Sequence, residues 1–301
     1  MNRRRFCGRV AVCVAGLCSR LVAQDPAKPL FSFGVVADAQ YADQDTLGTR
    51  FYRESPKKLA ACVDDLNARD LAFVIDVGDL IDKRFESFGT MLPIYNRLKA
   101  PRYHVLGNHD FAVGPQEKPK VLETLGLARG YYDFAHGPWR FVVLDGNDLS
   151  LIAAPKGSER YKEAEAMLQR VKESGAPNAM TWNGGLGTRQ IEWLKATLSR
   201  ASQAGERVVV FCHFPVHPPN VHNLWNSDEL IGIMESHRCV VAYINGHNHR
   251  GNYAEKKGIH YLTVQGMVET RDTTAYAVVE VHGDRLRVIG VGREPSRVLK
   301  F

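Results

Sequence analysis

Residues 72–79 read Ala-Phe-Val-Ile-Asp-Val-Gly-Asp, an apolar, β-branched run that ends in glycine and aspartate. A run of this length, bounded by turn residues, is typical of a buried strand. Asp79 then lies where the strand ends. The stretch therefore predicts a strand that delivers a carboxylate to the edge of a sheet.

Four other pieces of the chain repeat this pattern of an apolar run followed by polar residues. They are Ala-Asp-Ala-Gln at 37–40, Gly-Asn-His-Asp at 107–110, Phe-Cys-His-Phe-Pro at 211–215 and Gly-His-Asn-His at 246–249. Strands are predicted at 31–37, 72–77, 102–106, 139–145, 207–212 and 239–245. Helical spacing falls between them, at about 56–69, 89–99, 158–174, 188–203 and 226–237. Alternating strands and helices predict an α/β fold with a parallel or mixed sheet covered by helices.

The end of the chain has a different pattern. Three short β runs follow one another at 259–264, 274–281 and 285–291, and Gly283-Asp284 forms a turn between the last two. We expect these runs to add antiparallel strands. We therefore predict one domain from about residue 28 to residue 301.

Residues 1–23 are predicted to be an export signal. A basic start at 2–5 precedes an apolar stretch at about 10–18 and a small-residue cleavage site at 21–23. Arg3-Arg4-Arg5-Phe6 resembles the twin-arginine motif. We expect a periplasmic or extracellular location; the alternative is a cationic N-terminus that stays in place, in the cytoplasm or as a signal anchor.

Charge and hydropathy argue against a nucleic-acid partner and against a membrane-spanning helix. The chain of 301 residues has a formal charge of +6, but five arginines before Gln24 account for most of it, which leaves +6 − 5 = +1. We therefore expect no nucleic-acid partner. No apolar run reaches the roughly 18–20 residues that a membrane-spanning helix needs, so we expect no membrane span.

Seven side chains at the predicted strand ends are candidate ligands for two divalent metal ions. They are Asp38, Gln40, Asp79, Asn108, His213, His247 and His249. Asp79 is the natural bridge, because a carboxylate has two oxygens and can hold two cations roughly 3.5–4 Å apart. Asp38 and Gln40 are separated by one residue, so both can reach the same ion, and His247 and His249 have the same spacing.

A mixed oxygen and nitrogen set without a thiolate favours Mn²⁺, Mg²⁺, Fe or Co over structural zinc. Two adjacent ions indicate phosphate ester chemistry.

His109 is the candidate catalytic residue. It follows Asn108, so it is held beside the ions, and imidazole is suited to protonating a leaving oxygen. Asp110 is a candidate for orienting its ring. Asp82, three residues after Asp79, is a candidate for a hydrogen bond to a metal ligand. The simpler interpretation of both aspartates is turn capping.

Together these motifs resemble the calcineurin-like metallophosphoesterase superfamily. The shared motifs are Asp-x-Gln, Gly-Asp-x-x-Asp, Gly-Asn-His-Asp, His-x-Pro and Gly-His-x-His. The resemblance implies a four-layer α-β-β-α sandwich and a catalytic His109. It assigns one metal ion to Asp38, Gln40, Asp79 and His249, and the other to Asp79, Asn108, His213 and His247.

A narrower resemblance begins at Gln40, where most of the superfamily has histidine. Further shared stretches are Gly48-Thr49-Arg50, Trp182-Asn183-Gly184-Gly185, Leu224-Trp225-Asn226, Ser236-His237-Arg238-Cys239 and Gly266-Met267-Val268-Glu269-Thr270. This set is similar to the manganese-dependent ADP-ribose/CDP-alcohol diphosphatase family. The resemblance implies Mn²⁺ and small phosphorylated substrates such as ADP-ribose and CDP-choline. The spacing of the ligands by itself indicates only metal-dependent hydrolysis of phosphoester or phosphoanhydride bonds.

Four residues are candidates for substrate contacts. Arg50 and Arg53 could bind phosphate oxygens, and Tyr41 and Trp225 could stack on a base. The alternative is that the arginines are solvated or paired and that the aromatic rings pack beneath loops. Other functions on the same fold are a phosphomonoesterase, a cyclic-nucleotide phosphodiesterase, a protein phosphatase, or a non-catalytic module for binding or metal storage.

Overall fold

The computed structural model describes residues 28–301, so the predicted export signal at 1–23 lies outside the described residues. Within them the strands are β1 Phe31–Val36, β2 Phe73–Asp76, β3 Arg102–His104, β4 Tyr132–His136, β5 Trp139–Val143, β6 Arg207–Phe211, β7 Val240–Asn245, β8 Asn252–Lys256, β9 Ile259–Thr263, β10 Ala275–Val281, β11 Arg285–Gly292 and β12 Arg297–Lys300. The α-helices there are α1 Ser55–Asn67, α2 Ser87–Tyr95, α3 Val121–Thr124, α4 Glu159–Glu173, α5 Thr188–Gln203 and α6 Ser227–Glu235. Every predicted helix forms within a few residues of its expected bounds.

The strands form two six-stranded mixed sheets. The first has the order β12-β11-β10-β1-β2-β3, and the second has the order β4-β5-β6-β7-β9-β8. Strands β1 to β3 run parallel to one another, as do β5, β6, β7 and β9. Of the three C-terminal runs expected to add antiparallel strands, those at 274–281 and 285–291 pair antiparallel as β10 and β11, whereas that at 259–264 joins the second sheet as β9, antiparallel to β8 but parallel to β7.

Alternation along the strands builds three apolar layers. Phe33 and Val35 of β1 point into the space between the sheets, while Val36 faces the other way. Strand β6 behaves in the same manner, with Val209 and Phe211 between the sheets and Val208 and Val210 on the outer face. Successive side chains of a strand point to opposite faces, so both faces of each sheet are buried.

Helices cover the two outer faces. In α1, buried side chains recur at Leu59, Cys62, Val63 and Leu66, the spacing of one helix face, and pack on the first sheet. In α5, Ile191, Leu194 and Leu198 do the same against the second sheet. Each such side chain contributes about 1.5–3 kcal/mol by leaving water. The predicted α/β four-layer α-β-β-α sandwich is therefore confirmed.

None of the helices in residues 28–301 is both long and apolar enough to cross a membrane.

Candidate metal centre

The parallel strands bring all seven predicted ligands to one edge of the molecule. Asp38 and Gln40 follow β1, Asp79 follows β2, and Asn108 follows β3. In the second sheet, His213 follows β6, and His247 and His249 follow β7. Carboxyl ends of parallel strands meet at the same edge of a sheet, which is where open α/β sheets bind ligands.

Four of the seven predicted ligands have a left-handed backbone. The φ angles are 49° at Asp38, 48° at Gln40, 59° at Asp79 and 66° at His247. This conformation costs a non-glycine residue about 1–2 kcal/mol. Backbone bonds hold the turns: the Gln40 N–H donates to the Asp79 carbonyl at 2.7 Å, and the Asp38 N–H donates to the Gly78 carbonyl at 3.1 Å. Strain of this kind concentrates at functional sites.

Two glycines let these turns approach each other closely. A Cβ atom at Gly107 would lie 2.1 Å from Oδ1 of Asp79, and one at Gly78 would lie 2.6 Å from Nδ1 of His213. Gly78 also has a φ of +100°. Only glycine satisfies such positions, because any side chain would push the ligand-bearing turns apart.

One group of ligands converges on Nε2 of His213. This atom lies 3.1 Å from Oδ1 of Asn108, 3.2 Å from Oδ2 of Asp79 and 3.2 Å from Nδ1 of His247. All four residues are buried. Two imidazole nitrogens, an amide oxygen and a carboxylate oxygen thus face one point, the donor set of a divalent transition metal.

The second group lies beside it and shares Asp79. Ligand atoms of Asp38, Asp79 and His249 lie within 4.8 Å of one another, and Nε2 of His249 is 3.4 Å from Oδ1 of Asp38. Gln40 is fully buried. The two groups are therefore arranged as adjacent ion sites with Asp79 common to both.

Unpaired buried atoms show that these residues fit metal ions. Among the described residues, both amide atoms of Gln40 are buried without a hydrogen-bond partner, and Oδ2 of Asp79 has only the imidazole Nε2 of His213, 3.2 Å away. Leaving such a group unsatisfied costs about 1–3 kcal/mol. A cation between the two groups would satisfy the oxygens.

The pKa values of the buried histidines and of Asp79 also indicate a metal centre. Burial opposes ionisation of both His213 and His249, yet Asp79 raises the pKa of His213 to about 9 and Asp38 raises the pKa of His249 to about 9. Burial would also raise the pKa of Asp79, but His213 and His109 outweigh it and hold that pKa below its usual range. In the metal-free site, protonated imidazoles thus balance the negative charge of the carboxylates. Divalent cations would replace those protons.

Each of the three histidines has an outer partner on its second nitrogen. The Nδ1–H of His213 donates to the Val77 carbonyl at 2.9 Å. Nε2 of His247 lies 3.0 Å from Oδ1 of Asn183, and Nδ1 of His249 lies 2.7 Å from Oε1 of Glu269. Such partners fix the ring and its tautomer, so that the remaining nitrogen faces the ion.

Sequence reasoning did not assign Asn183 or Glu269 to the site. Both stood in stretches that carry the family resemblance, 182–185 and 266–270. That resemblance was the available signal, because nothing in the spacing of either residue indicates a contact with a distant histidine.

His109 lies at the edge of the ion sites. Its N–H donates to Oδ1 of Asp79 at 2.7 Å, and its Nδ1 lies 2.7 Å from Oδ1 of Asp82. Asp82 therefore orients the ring of His109. The sequence had suggested instead that Asp82 contacts a metal ligand.

The expectation that Asp110 orients the His109 ring is wrong. Its carboxylate accepts backbone N–H groups from Asp79 at 3.1 Å, Leu80 at 3.0 Å and Gly107 at 2.9 Å. Asp110 thus ties the Asp79 turn to the Gly107 turn, which is the capping role.

A cavity of about 350 Å³ opens over the ion sites. Besides metal ligands and His109, its walls contain Arg50, Trp182 and His222. Trp182 is 41% exposed, and Nδ1 of His222 is buried without a partner among the described residues. A larger groove of about 690 Å³ runs along α4 and α5, but no predicted ligand lines it. The smaller cavity is therefore the candidate substrate site.

Of the four predicted substrate contacts, only Arg50 lines this cavity. The prediction for Trp225 is wrong, because its indole is 4% exposed and its Nε1–H donates to the Met180 carbonyl at 3.0 Å. Arg53, in a 3-10 turn at Tyr52–Glu54, is paired at the surface with Asp43 at 2.7 Å and Asp45 at 2.5 Å. Tyr41 is half-buried and packs on the apolar cluster beneath α1. Trp182 and His222 were missed as cavity residues, and Trp182 lay within a stretch that carries the resemblance.

Comparison with known proteins agrees with this geometry. Residues 31–251 match the calcineurin-like phosphoesterase family. The chain is 30% identical to the manganese-dependent ADP-ribose/CDP-alcohol diphosphatase of Mus musculus, over 95% of this chain and 98% of that protein. It is 32% identical to the protein of the same name from Oryza sativa subsp. japonica, over 87% and 92%. A crystal structure of a dimetal phosphatase from Danio rerio matches with a TM-score of 0.82 and 27% identity, over 91% of this chain and 100% of that one. The chain therefore belongs to the calcineurin-like phosphoesterase family and is a dimetal hydrolase of phosphoester or phosphoanhydride bonds, with manganese the metal that its relatives' names give.

Proposed function

We propose that this hydrolase cleaves the phosphoanhydride bond of nucleotide diphosphate compounds such as ADP-ribose or CDP-choline, and that it releases a nucleoside monophosphate. The relatives named for this activity support the proposal, because they match nearly the whole chain at about 30% identity. We assign the metal ligands and His109 to the roles that the motifs imply.

The observation that carries the proposal is the composition of the cavity wall. An arginine, an exposed tryptophan and the ion sites line one cavity. Among the described residues, Arg50 forms no salt bridge, so its guanidinium is available for phosphate oxygens. The exposed face of Trp182 is suited to stacking on a base. A nucleoside diphosphate carries both groups that these side chains would bind.

The two metal ions, when bound, supply an activated water and positive charge on the phosphoryl oxygens. The protein holds the ligand groups and His109 in position. Asp79 lies between the two ligand groups, and its Oδ1 accepts the N–H of His109. Asp82 accepts Nδ1–H of His109, which leaves Nε2 as the nitrogen available to the substrate.

His109 then gives a proton to, or stabilises charge on, the departing phosphate oxygen. That leaving group is already a weak base, so the proton should contribute less here than it would for an alkoxide. We expect His109→Ala to lower kcat about 10²–10⁴-fold, the usual range for general acid–base catalysis.

Product identity tests the proposal. The manganese-loaded protein is incubated in parallel with ADP-ribose, CDP-choline, a cyclic nucleotide and an aryl phosphate. Release of AMP and CMP from the first two is the expected result. Inorganic phosphate from the aryl phosphate, without nucleoside monophosphate from either diphosphate, would contradict the proposal and indicate a phosphomonoesterase. An Asp79→Ala protein, which should lose its metal, is the control for contaminating activity.

We also propose that the chain is exported, on the basis of residues 1–23 alone. Cell fractionation of the full chain and of an Arg3→Lys/Arg4→Lys variant tests this. Export of the first and retention of the second are expected. Cytoplasmic retention of both would contradict it.

A further inference from the structure

The segment Gly266–Thr270, here called the strap, follows β9 and crosses the edge that holds the ion sites. Its backbone is tied to two of the ligand turns. The Val268 N–H donates to the Asp38 carbonyl at 2.9 Å, and the Gly266 N–H donates to the His249 carbonyl at 3.1 Å. The strap is thus bound to two of the three segments that supply ligands to one ion site, those that carry Asp38 and His249, and the His249 segment also carries His247.

The strap also carries the acidic partner of His249. Oε1 of Glu269 lies 2.7 Å from Nδ1 of His249, and both side chains are largely shielded from water. Because a carboxylate at this distance accepts the Nδ1–H, Glu269 fixes Nδ1 of His249 as the donor and Nε2 as the nitrogen that faces the ion.

A buried lysine holds the strap from below. Nζ of Lys58, on α1, donates to the carbonyls of Met267 at 2.5 Å, Glu269 at 3.2 Å and Thr270 at 2.9 Å. Lys58 is 5% exposed. An ammonium group has three N–H donors, so the three carbonyls match it fully. Burial, followed by the nearby Arg293, lowers the pKa of Lys58 to about 8.

Burying an amine is costly unless it is fully hydrogen-bonded. Apart from Ser55, the other buried residues of α1 are Leu59, Cys62, Val63 and Leu66, so an apolar residue would suit the same face. What Lys58 adds is a set of directional bonds to the backbone on both sides of Glu269. The contacts therefore run from α1 through Lys58 and the strap to Glu269, His249 and one ion site.

We propose that Lys58 and Glu269 are positioning residues that set the affinity of the ion held by Asp38, Gln40 and His249, and that they leave the affinity of the other ion unchanged. The proposal depends on the metal centre and is independent of which substrate is hydrolysed. Neither residue reaches the second group, in which the outer partner of His247 is Asn183.

Measurements of metal binding distinguish the two ion sites. Mn²⁺ is titrated calorimetrically into metal-free protein, and electron paramagnetic resonance distinguishes single Mn²⁺ ions from spin-coupled pairs. We expect Glu269→Gln to weaken one binding step about 10–100-fold, the usual effect of losing an outer partner of a metal ligand. At one equivalent of Mn²⁺, its spectrum should match that of His249→Ala rather than that of His247→Ala.

The link through Lys58 is tested with Lys58→Met. This variant should weaken the same step, and a Lys58→Met/Glu269→Gln double variant should be no weaker than Glu269→Gln alone, because the lysine acts through the glutamate. Lys57→Met, an exposed lysine on the same helix, is the matched control and should bind both ions normally. Asn183→Leu should weaken the opposite step.

Equal weakening of both steps by Glu269→Gln, or no weakening of either, would overturn the proposal. Additive losses in the double variant would overturn the part assigned to Lys58. Glu269→Gln has nearly the same shape as the native side chain, so it tests the proposal even where Lys58→Met fails to fold.

Discussion

Nδ1 of His109 lies 2.7 Å from Oδ1 of Asp82, whose side chain is 1% exposed. The two residues come from different turns, one after β3 and one after β2. A buried carboxylate beside an imidazole selects the tautomer with Nδ1–H and prevents rotation of the ring. The second nitrogen is thereby kept at the side of the ring that can meet substrate.

Asp82→Asn tests this relationship. The amide keeps the shape of the carboxylate but can hold the wrong tautomer of His109, so we expect kcat to fall about 10–100-fold. Bound manganese and KM should change little, because neither ion site includes Asp82. Steady-state kinetics and metal analysis measure both. A His109→Ala/Asp82→Asn double variant should be no slower than His109→Ala alone.

Asp110→Asn tests the capping role of Asp110, in contrast to the ring-orienting role of Asp82. Its carboxylate accepts backbone N–H groups from two ligand-bearing turns, and an amide nitrogen in that place would face donors. We expect the free energy of unfolding to fall by about 1–3 kcal/mol, the cost of unsatisfied buried groups, together with weaker metal binding. Chemical denaturation of the metal-free protein measures it. A stable, fully metal-loaded variant with a lower kcat would instead return Asp110 to the ring-orienting role.

Gln40→His restores the residue that most of the superfamily has at this position. Gln40 is fully buried, and its amide atoms have no partner among the described residues. Imidazole is a stronger ligand for zinc and nickel than an amide oxygen is. We therefore expect hydrolysis to be retained and the metal preference to move away from manganese, as measured by activity and binding across a metal series. An unchanged metal profile would show that Gln40 does not bind an ion.

Manganese binding should release protons. The pKa values of about 9 for His213 and His249 mean that both rings are protonated at neutral pH in the metal-free protein. An imidazole must lose its proton to bind a metal, so affinity should rise with pH and level off near pH 9. Burial, followed by the neighbouring His213, lowers the pKa of His247 well below its usual value, and that residue should release none.

The number of protons is measured by calorimetry at pH 7 in buffers of different ionisation enthalpy. About two protons per two ions are expected, one from each of the raised histidines. An affinity that falls or stays constant between pH 6 and pH 8 would contradict the charge balance described for the site.

Trp182→Ala tests recognition of the base. Loss of one stacking partner costs about 1–3 kcal/mol, so KM for ADP-ribose and CDP-choline should rise about 10- to 100-fold. Trp182→Phe should retain most of the affinity. An aryl phosphate without a nucleobase is the control substrate, and its KM should change less. Equal effects on all substrates would place the role of Trp182 in the shape of the cavity rather than in base stacking.

The candidate ligands could be singled out because strand ends have a strong local pattern. Apolar, β-branched runs followed by glycine and a polar residue mark where a strand stops, and parallel strands stop at one edge. The strands that were missed, β4, β8 and β12, all lie at sheet edges. Edge strands are short and partly exposed, so their apolar pattern is too weak to detect.

Roles that depend on distant contacts could not be predicted. Trp225 and Trp182 are both aromatic residues near glycine or asparagine, yet one is buried and the other lines the cavity. Likewise, Asp82 and Asp110 are both close in sequence to a ligand, and the assignment of the ring-orienting role depended on which one lies against His109.

The sequence by itself determined the alternation of strands and helices and the candidate ligands at the strand ends, because strand periodicity and turn chemistry are properties of neighbouring residues. Only the tertiary structure decided which carboxylate holds His109, and that Lys58 and Glu269 reach the His249 turn. Those facts depend on how two sheets and a helix meet, and residues as far apart as Lys58 and Met267 come together only when the chain has folded.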